Sequence, residues 1–179
     1  MHPIMRYATT YGLLAGAVIT ATIITGIVLA NRMKFFSSEL FGYLVMLVAL
    51  TFIFVGIKRY RDVERGGIVK FGAAFGVGFA IAVVAALTYI AVWEIYLAAT
   101  NYAFIDQYIA GIVRARQAAG VTGPELAREV EKLEAMRVQY ANPLFRIPIT
   151  FAEIFPVGLA VSLVSALLLR MPKFLPARR

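Results

Sequence analysis

The chain has 179 residues, 61% of them apolar or aromatic and 16% charged, with a formal net charge of +8 and a mean hydropathy of +0.78. Soluble domains hold about half apolar residues and about a quarter charged ones, so lipid is the expected solvent for much of this chain. It has no Cys and one His, His2, which excludes disulfides, thiolate metal sites, Cys nucleophiles and a histidine pair for zinc. Its bases sit at the ends of apolar runs and not on one water-exposed face, which argues against nucleic acid as a partner.

In chain order, residues 7–30 form an uncharged stretch of about 24 residues, enough to cross a hydrocarbon core about 30 Å thick. This run is longer than the apolar region of a signal peptide and no A-x-A-like cleavage site follows it, so it is expected to be retained. Residues 40–57 form the second expected span. Residues 71–99 form the third, with one acid, and its excess length requires it to tilt or project beyond the bilayer. Residues 147–169 form the fourth, also with one acid.

Orientation follows from the basic residues in short flanks. Arg6 precedes span one. Lys58, Arg59, Arg61, Arg65 and Lys70 separate spans two and three, and Arg170, Lys173, Arg178 and Arg179 follow span four. On the other side, Arg32 and Lys34 stand in a short loop, and the bases of 100–146 are nearly balanced by acids. Both termini are therefore expected on the cytoplasmic side. The basic cluster reads as a topology signal in contact with anionic lipid.

Segment 100–146 is the one soluble part and is expected outside the cytoplasm as an amphipathic helical hairpin. Phe104, Tyr108, Ile112 and Val113 recur at helical spacing, and Gly120-Val121-Thr122-Gly123 reads as a break. Thr122 and Glu125 have the spacing of a capping box, with Pro124 suited to a first helical turn. Leu126, Val130, Leu133, Met136 and Tyr140 then form one stripe, with the pairs Glu129/Lys132 and Glu134/Arg137 on the wet face. Asn142-Pro143 and Pro148 are expected to turn the chain back into the membrane.

Spans one and three share aromatic-Gly-x-x-x-Gly: Tyr11 with Gly12 and Gly16, and Phe71 with Gly72 and Gly76. Such small residues let membrane helices approach closely. Gly158 begins a similar strip in span four. Tight packing within the chain is the expectation, with a homodimer seam as the alternative.

Acids inside spans are rare because ionising one in hydrocarbon costs about 2.5 to 3.5 kcal/mol on insertion scales. Glu94 and Glu153 are therefore the candidate polar or ion site, with Asn101 and Arg146 placed to complete a polar patch and Glu39 opening span two at that level. Pro156 removes the donor for the Ala152 carbonyl beside Glu153, and a freed carbonyl plus a carboxylate can hold a cation. The competing reading makes Glu153 an acid near a helix N-terminus and puts Glu94 in an interfacial belt with Tyr89, Trp93 and Tyr96. Thr20, Thr22 and Thr25 are expected to bond their own backbone. H-E-x-x-H, P-loop, G-x-G-x-x-G and G-x-S-x-G motifs are absent, so no catalytic residue, cofactor or metal is expected.

The four spans, the glycine motif of span one, the turn Lys58-Arg59-Tyr60-Arg61-Asp62 leading to Gly66-Gly67, the helical outer segment, Asn142-Pro143, and Glu153 followed by Pro156-Val157-Gly158-Leu159 together resemble the bacterial membrane family known as domain of unknown function 4199. The resemblance covers nearly the whole chain. It implies a bacterial inner-membrane protein and brings no assigned activity. The expected architecture is thus an all-α integral membrane protein, a single membrane domain over 1–179, with four transmembrane helices and an extracytoplasmic helical insertion. The expected function is a non-catalytic structural or interaction protein of the inner membrane. Its partners would be the bilayer, further copies of itself, and an envelope protein bound through 100–146. The alternative is an oligomeric proton- or cation-coupled transporter or channel using Glu94 and Glu153.

Overall fold

A computed structural model of the chain describes residues 2–29 and 39–177. These residues form six helices and no strand: α1 (Pro3–Leu29), α2 (Glu39–Glu64), α3 (Phe71–Ala99), α4 (Ala103–Ala118), α5 (Gly123–Ala141) and α6 (Pro143–Leu169). Four stretches are long and apolar enough to cross a membrane, Pro3–Ile27, Phe41–Glu64, Phe71–Ala99 and Pro143–Leu169. The expected end of span one at residue 30, and Arg32, Lys34, Arg178 and Arg179, lie outside the described residues, as does the side chain of Glu39.

Three helix ends depart from the expected boundaries, the first being that of α1, which starts at Pro3 and not at residue 7. α2 does not stop at residue 57; it runs through the basic cluster to Glu64, because Lys and Arg are good helix formers and only Gly66 and Gly67 interrupt the backbone. Those two glycines adopt φ of 61° and 90°, and Gly67 N–H donates to the Arg61 carbonyl at 3.0 Å. A side chain at either position would be strained. α6 starts at Pro143 and not at 147. Pro143 fills the first helical position, which needs no N–H donor, and the Asn142 Oδ1 accepts from Leu144 N–H at 2.9 Å. Pro148 and Pro156 therefore sit inside α6 and make no turn.

The chain divides into two compact units. One is Met1–Val92 with Phe151–Arg179; the other is Trp93–Thr150.

In the first unit, Ile19, Leu50, Ile53, Ile57, Val77 and Ile81 are fully buried. Bare backbone draws the helices together. A Cβ added at Gly12 would lie 2.5 Å from Val84 Cβ, and one at Gly16 would lie 2.8 Å from the Ala85 carbonyl oxygen, so α1 meets α3 along a glycine face. A Cβ at Gly158 of α6 would lie 3.0 Å from Ala82 Cβ. Gly72 and Gly76 differ from the expectation, since nothing lies within 4 Å of a Cβ at either. The shared motif thus packs in α1 and stays open in α3. We expect Gly16→Val to destabilise the protein by about 1 to 3 kcal/mol through overpacking against fixed backbone. Gly76→Ala should leave thermal unfolding in detergent unchanged or slightly raised.

The three threonines of α1 bond their own helix: Thr20 Oγ1 donates to Gly16 O at 2.7 Å, Thr22 to Val18 O at 2.8 Å and Thr25 to Ala21 O at 2.7 Å.

In the second unit, α4 and α5 lie side by side and antiparallel. Arg137 pairs with Asp106 at 2.7 Å, and Arg116 with Glu129 at 3.2 Å. The stripe of Leu126, Val130, Leu133, Met136 and Tyr140 is the half-covered side of α5. Of the expected stripe of α4, Phe104, Ile112 and Val113 are half-buried and Tyr108 is exposed, while Ile105 and Ile109, which the expectation left out, are buried. Thr122 occupies the N-cap of α5 with extended backbone but makes no side-chain capping bond, so the capping box does not form. Glu129 is drawn to Arg116 on α4 and not to Lys132 on its own helix.

Candidate functional site

The second unit is organised around Arg146, whose side chain is 1% exposed in the first turns of α6. Its Nε donates to Glu94 Oε1 at 2.7 Å and its Nη2 to Glu94 Oε2 at 2.6 Å, a bidentate pair with a carboxylate carried by α3. Its Nη1 donates to the Tyr140 carbonyl at 2.8 Å and the Ala141 carbonyl at 3.4 Å. These carbonyls end α5, where helix geometry leaves acceptors unpaired and the macrodipole favours a cation. At most one of the five guanidinium N–H groups stays uncommitted.

Two aromatic rings complete the setting, with the guanidinium carbon 5.3 Å from the Tyr102 centroid and 5.6 Å from that of Tyr140. Tyr102 reaches this position from a left-handed backbone, φ 57°, directly after Asn101 at φ 50°. Asparagine adopts that region readily; tyrosine does so at a cost. Trp93 Nε1 donates to the Tyr140 hydroxyl at 3.1 Å and its ring meets Phe104 edge-on at 4.9 Å. A cavity of about 310 Å³ opens beside Arg146, lined among others by Asn101, Tyr102, Asp106, Arg137 and Tyr140. Outside the spans, the hydrogen bond that Arg137 donates to Glu134 and the charges of Asp106 and Glu134 raise the Arg137 guanidinium above its ordinary range, so it is charged at any working pH.

Glu94, Asn101 and Arg146, three of the four residues of the expected polar patch, thus belong to one unit. Within that patch the Arg146 guanidinium holds Glu94 and not Glu153. Glu153 belongs to the first unit, is exposed on α6, and makes no hydrogen bond or ion pair among the described residues. Also among those residues, no three acidic, histidine or cysteine side chains come together as a metal site.

The basic cluster needs a correction at one position. Arg61 is fully buried and therefore does not touch lipid. Its Nε pairs with Asp62 at 2.7 Å, its Nη1 donates to Phe174 O at 2.9 Å, and its Nη2 donates to Leu175 O at 2.5 Å. Arg61 thereby fastens the segment that follows α6 to α2. Lys58 pairs with Asp62 from the other side at 2.5 Å. Arg59, Arg65 and Lys70 are exposed, with Arg65 Nε donating to the Tyr60 hydroxyl at 3.0 Å. Arg6 Nη2 and the Tyr7 hydroxyl both donate to Glu64, at 2.5 and 3.2 Å. None of these tertiary partners was named from sequence; the only sequence signal was a basic cluster that included an acid, Asp62.

Taken together, the helices define a multi-pass all-α membrane protein that holds a buried arginine clamp. Residues 10–171 match the family described as Protein of unknown function (DUF4199), and the chain belongs to that family. No curated protein and no solved structure matches it.

Proposed function

We propose that the chain is a non-catalytic interaction protein of the bacterial inner membrane, with both termini cytoplasmic and with α4 and α5 outside the cytoplasm, offering the outward face of α5 to an envelope protein. The observation that carries this reading is the state of Arg146. A guanidinium that spends its donors on one carboxylate and two helix-end carbonyls holds elements in place, and it occupies both oxygens of Glu94. The outward face of α5 supports a protein partner: Glu125, Arg128, Glu131 and Lys132 are exposed and alternate in sign, which favours an oriented polar contact over lipid. The asymmetry of Lys and Arg between the two sides supports the orientation. Transport through Glu94 and Glu153 would require the clamp to open.

The test joins two measurements. A photoreactive residue at position 128 or 131 should crosslink an envelope protein in intact cells, and the double charge reversal Arg128→Glu with Glu131→Arg should lower that yield severalfold. In liposomes the purified protein should pass no cations or protons above empty vesicles. A flux that Glu153→Gln abolishes would overturn the proposal in favour of the transport class.

A further inference from the structure

α6 has two unlike faces in the first unit. Ile154, Gly158, Ser162, Ser165, Ala166 and Leu169 are buried and lie within one arc of the helix. Glu153, Pro156, Ala160, Val164 and Leu167 occupy the opposite arc, and all are exposed. Glu153 follows Pro143, the first residue of α6, by ten positions, about 15 Å along the axis. It therefore lies well inside a segment long and apolar enough to span the bilayer.

A carboxyl with no partner among the described residues, on the lipid side of a span, is costly, and such residues usually mark a contact. A second acceptor stands next to it. Pro156 has no N–H, so the carbonyl of Ala152, also exposed, lacks its helical donor. Ala152, Pro156 and Ala160 add little bulk around the carboxyl, which lets another helix approach.

We propose that two copies of this chain pair through the outer face of α6, with Glu153 hydrogen-bonded to the partner's Glu153. A carboxylic acid carries donor and acceptor on one group, so the pair is self-complementary across a two-fold axis, as an isologous interface requires. Two copies inserted in the same direction also place this residue at the same depth, whereas a foreign helix would need a polar group set to match. The inference stands apart from the envelope-partner reading, which concerns α5.

Fluorescence energy transfer between labelled copies in liposomes tests it, with wild type, Glu153→Gln and Glu153→Leu. An interhelical polar contact worth about 1 to 2 kcal/mol corresponds to roughly a 5- to 30-fold change in association. Glu153→Leu should weaken pairing by that factor. Glu153→Gln, whose amide also donates and accepts, should stay within about 2-fold of wild type. Leucine is at home on a lipid face, so thermal unfolding should not change.

Because the chain has no cysteine, Ala160→Cys should form a disulfide dimer on oxidation faster than Leu14→Cys, placed on α1 at a residue 46% exposed. Equal association of the leucine variant, loss in the glutamine variant, equal oxidation rates, or crosslinking of position 160 to a different protein in cells would each overturn the proposal.

Discussion

Replacing Glu94 by glutamine is expected to destabilise the protein by about 3 kcal/mol, because breaking a buried ion pair leaves the surviving charge without compensation. The survivor is Arg146, 1% exposed and set against two tyrosine rings, so its charge stays buried once the carboxylate is gone. Glutamine fits the space but supplies one acceptor where the fork needs two. Arg146→Lys should cost nearly as much, since an ammonium reaches neither both carboxylate oxygens nor the two carbonyls in the same geometry. The double variant Glu94→Leu with Arg146→Leu should recover part of the loss, because no charge is then stranded. Trp93 is the sole tryptophan and donates to the Tyr140 hydroxyl at 3.1 Å, so its fluorescence on heating in detergent reports on this unit. Unchanged unfolding in Glu94→Gln would mean that the clamp is dispensable.

Arg61→Met should release the segment after α6. That segment is held by donors to Phe174 O and Leu175 O and by the Phe174 ring set edge-on to Phe54 at 6.4 Å. Hydrogen bonds from a charged donor are worth about 1.5 to 3 kcal/mol each. A net loss of about 3 kcal/mol would raise the locally opened population on the order of 100-fold. Trypsin, cutting after Arg170 and Lys173, reads that population directly. Arg59→Met is the control, since among the described residues the Arg59 side chain makes one hydrogen bond, to the Tyr11 hydroxyl at 3.5 Å. Equal cleavage rates in the two variants would show that Arg61 does not hold the segment.

The four apolar helices were legible because hydropathy over about 20 residues is a strong signal. Their ends were less so. A hydropathy reading stops where polarity begins, at Lys58, although a helix continues through lysine and arginine until glycine or proline interrupts it. In α4 the buried Ile105 and Ile109 were passed over for Tyr108, which is exposed, because all three are compatible with an apolar stripe and only packing decides among them. At the candidate site, sequence placed Glu94 and Arg146 in one polar patch without pairing them. Their union depends on where the chain returns after α5, which no local period encodes. Arg61 was hidden for the same reason: its partners are backbone carbonyls more than a hundred residues away, and carbonyls carry no residue identity to read.

The same glycines that admit a neighbouring helix also have their carbonyls occupied. Thr20 donates to Gly16 O and Ser162 to Gly158 O, each at 2.7 Å and each four residues along its own helix. A hydroxyl bound in this way asks nothing of the adjoining helix. Where the two spans touch their neighbours most closely, these polar atoms are already satisfied before any contact forms, as lipid demands of a lone helix. Insertion of α1 or α6 can thus precede their packing at these glycines, where shape decides the contact.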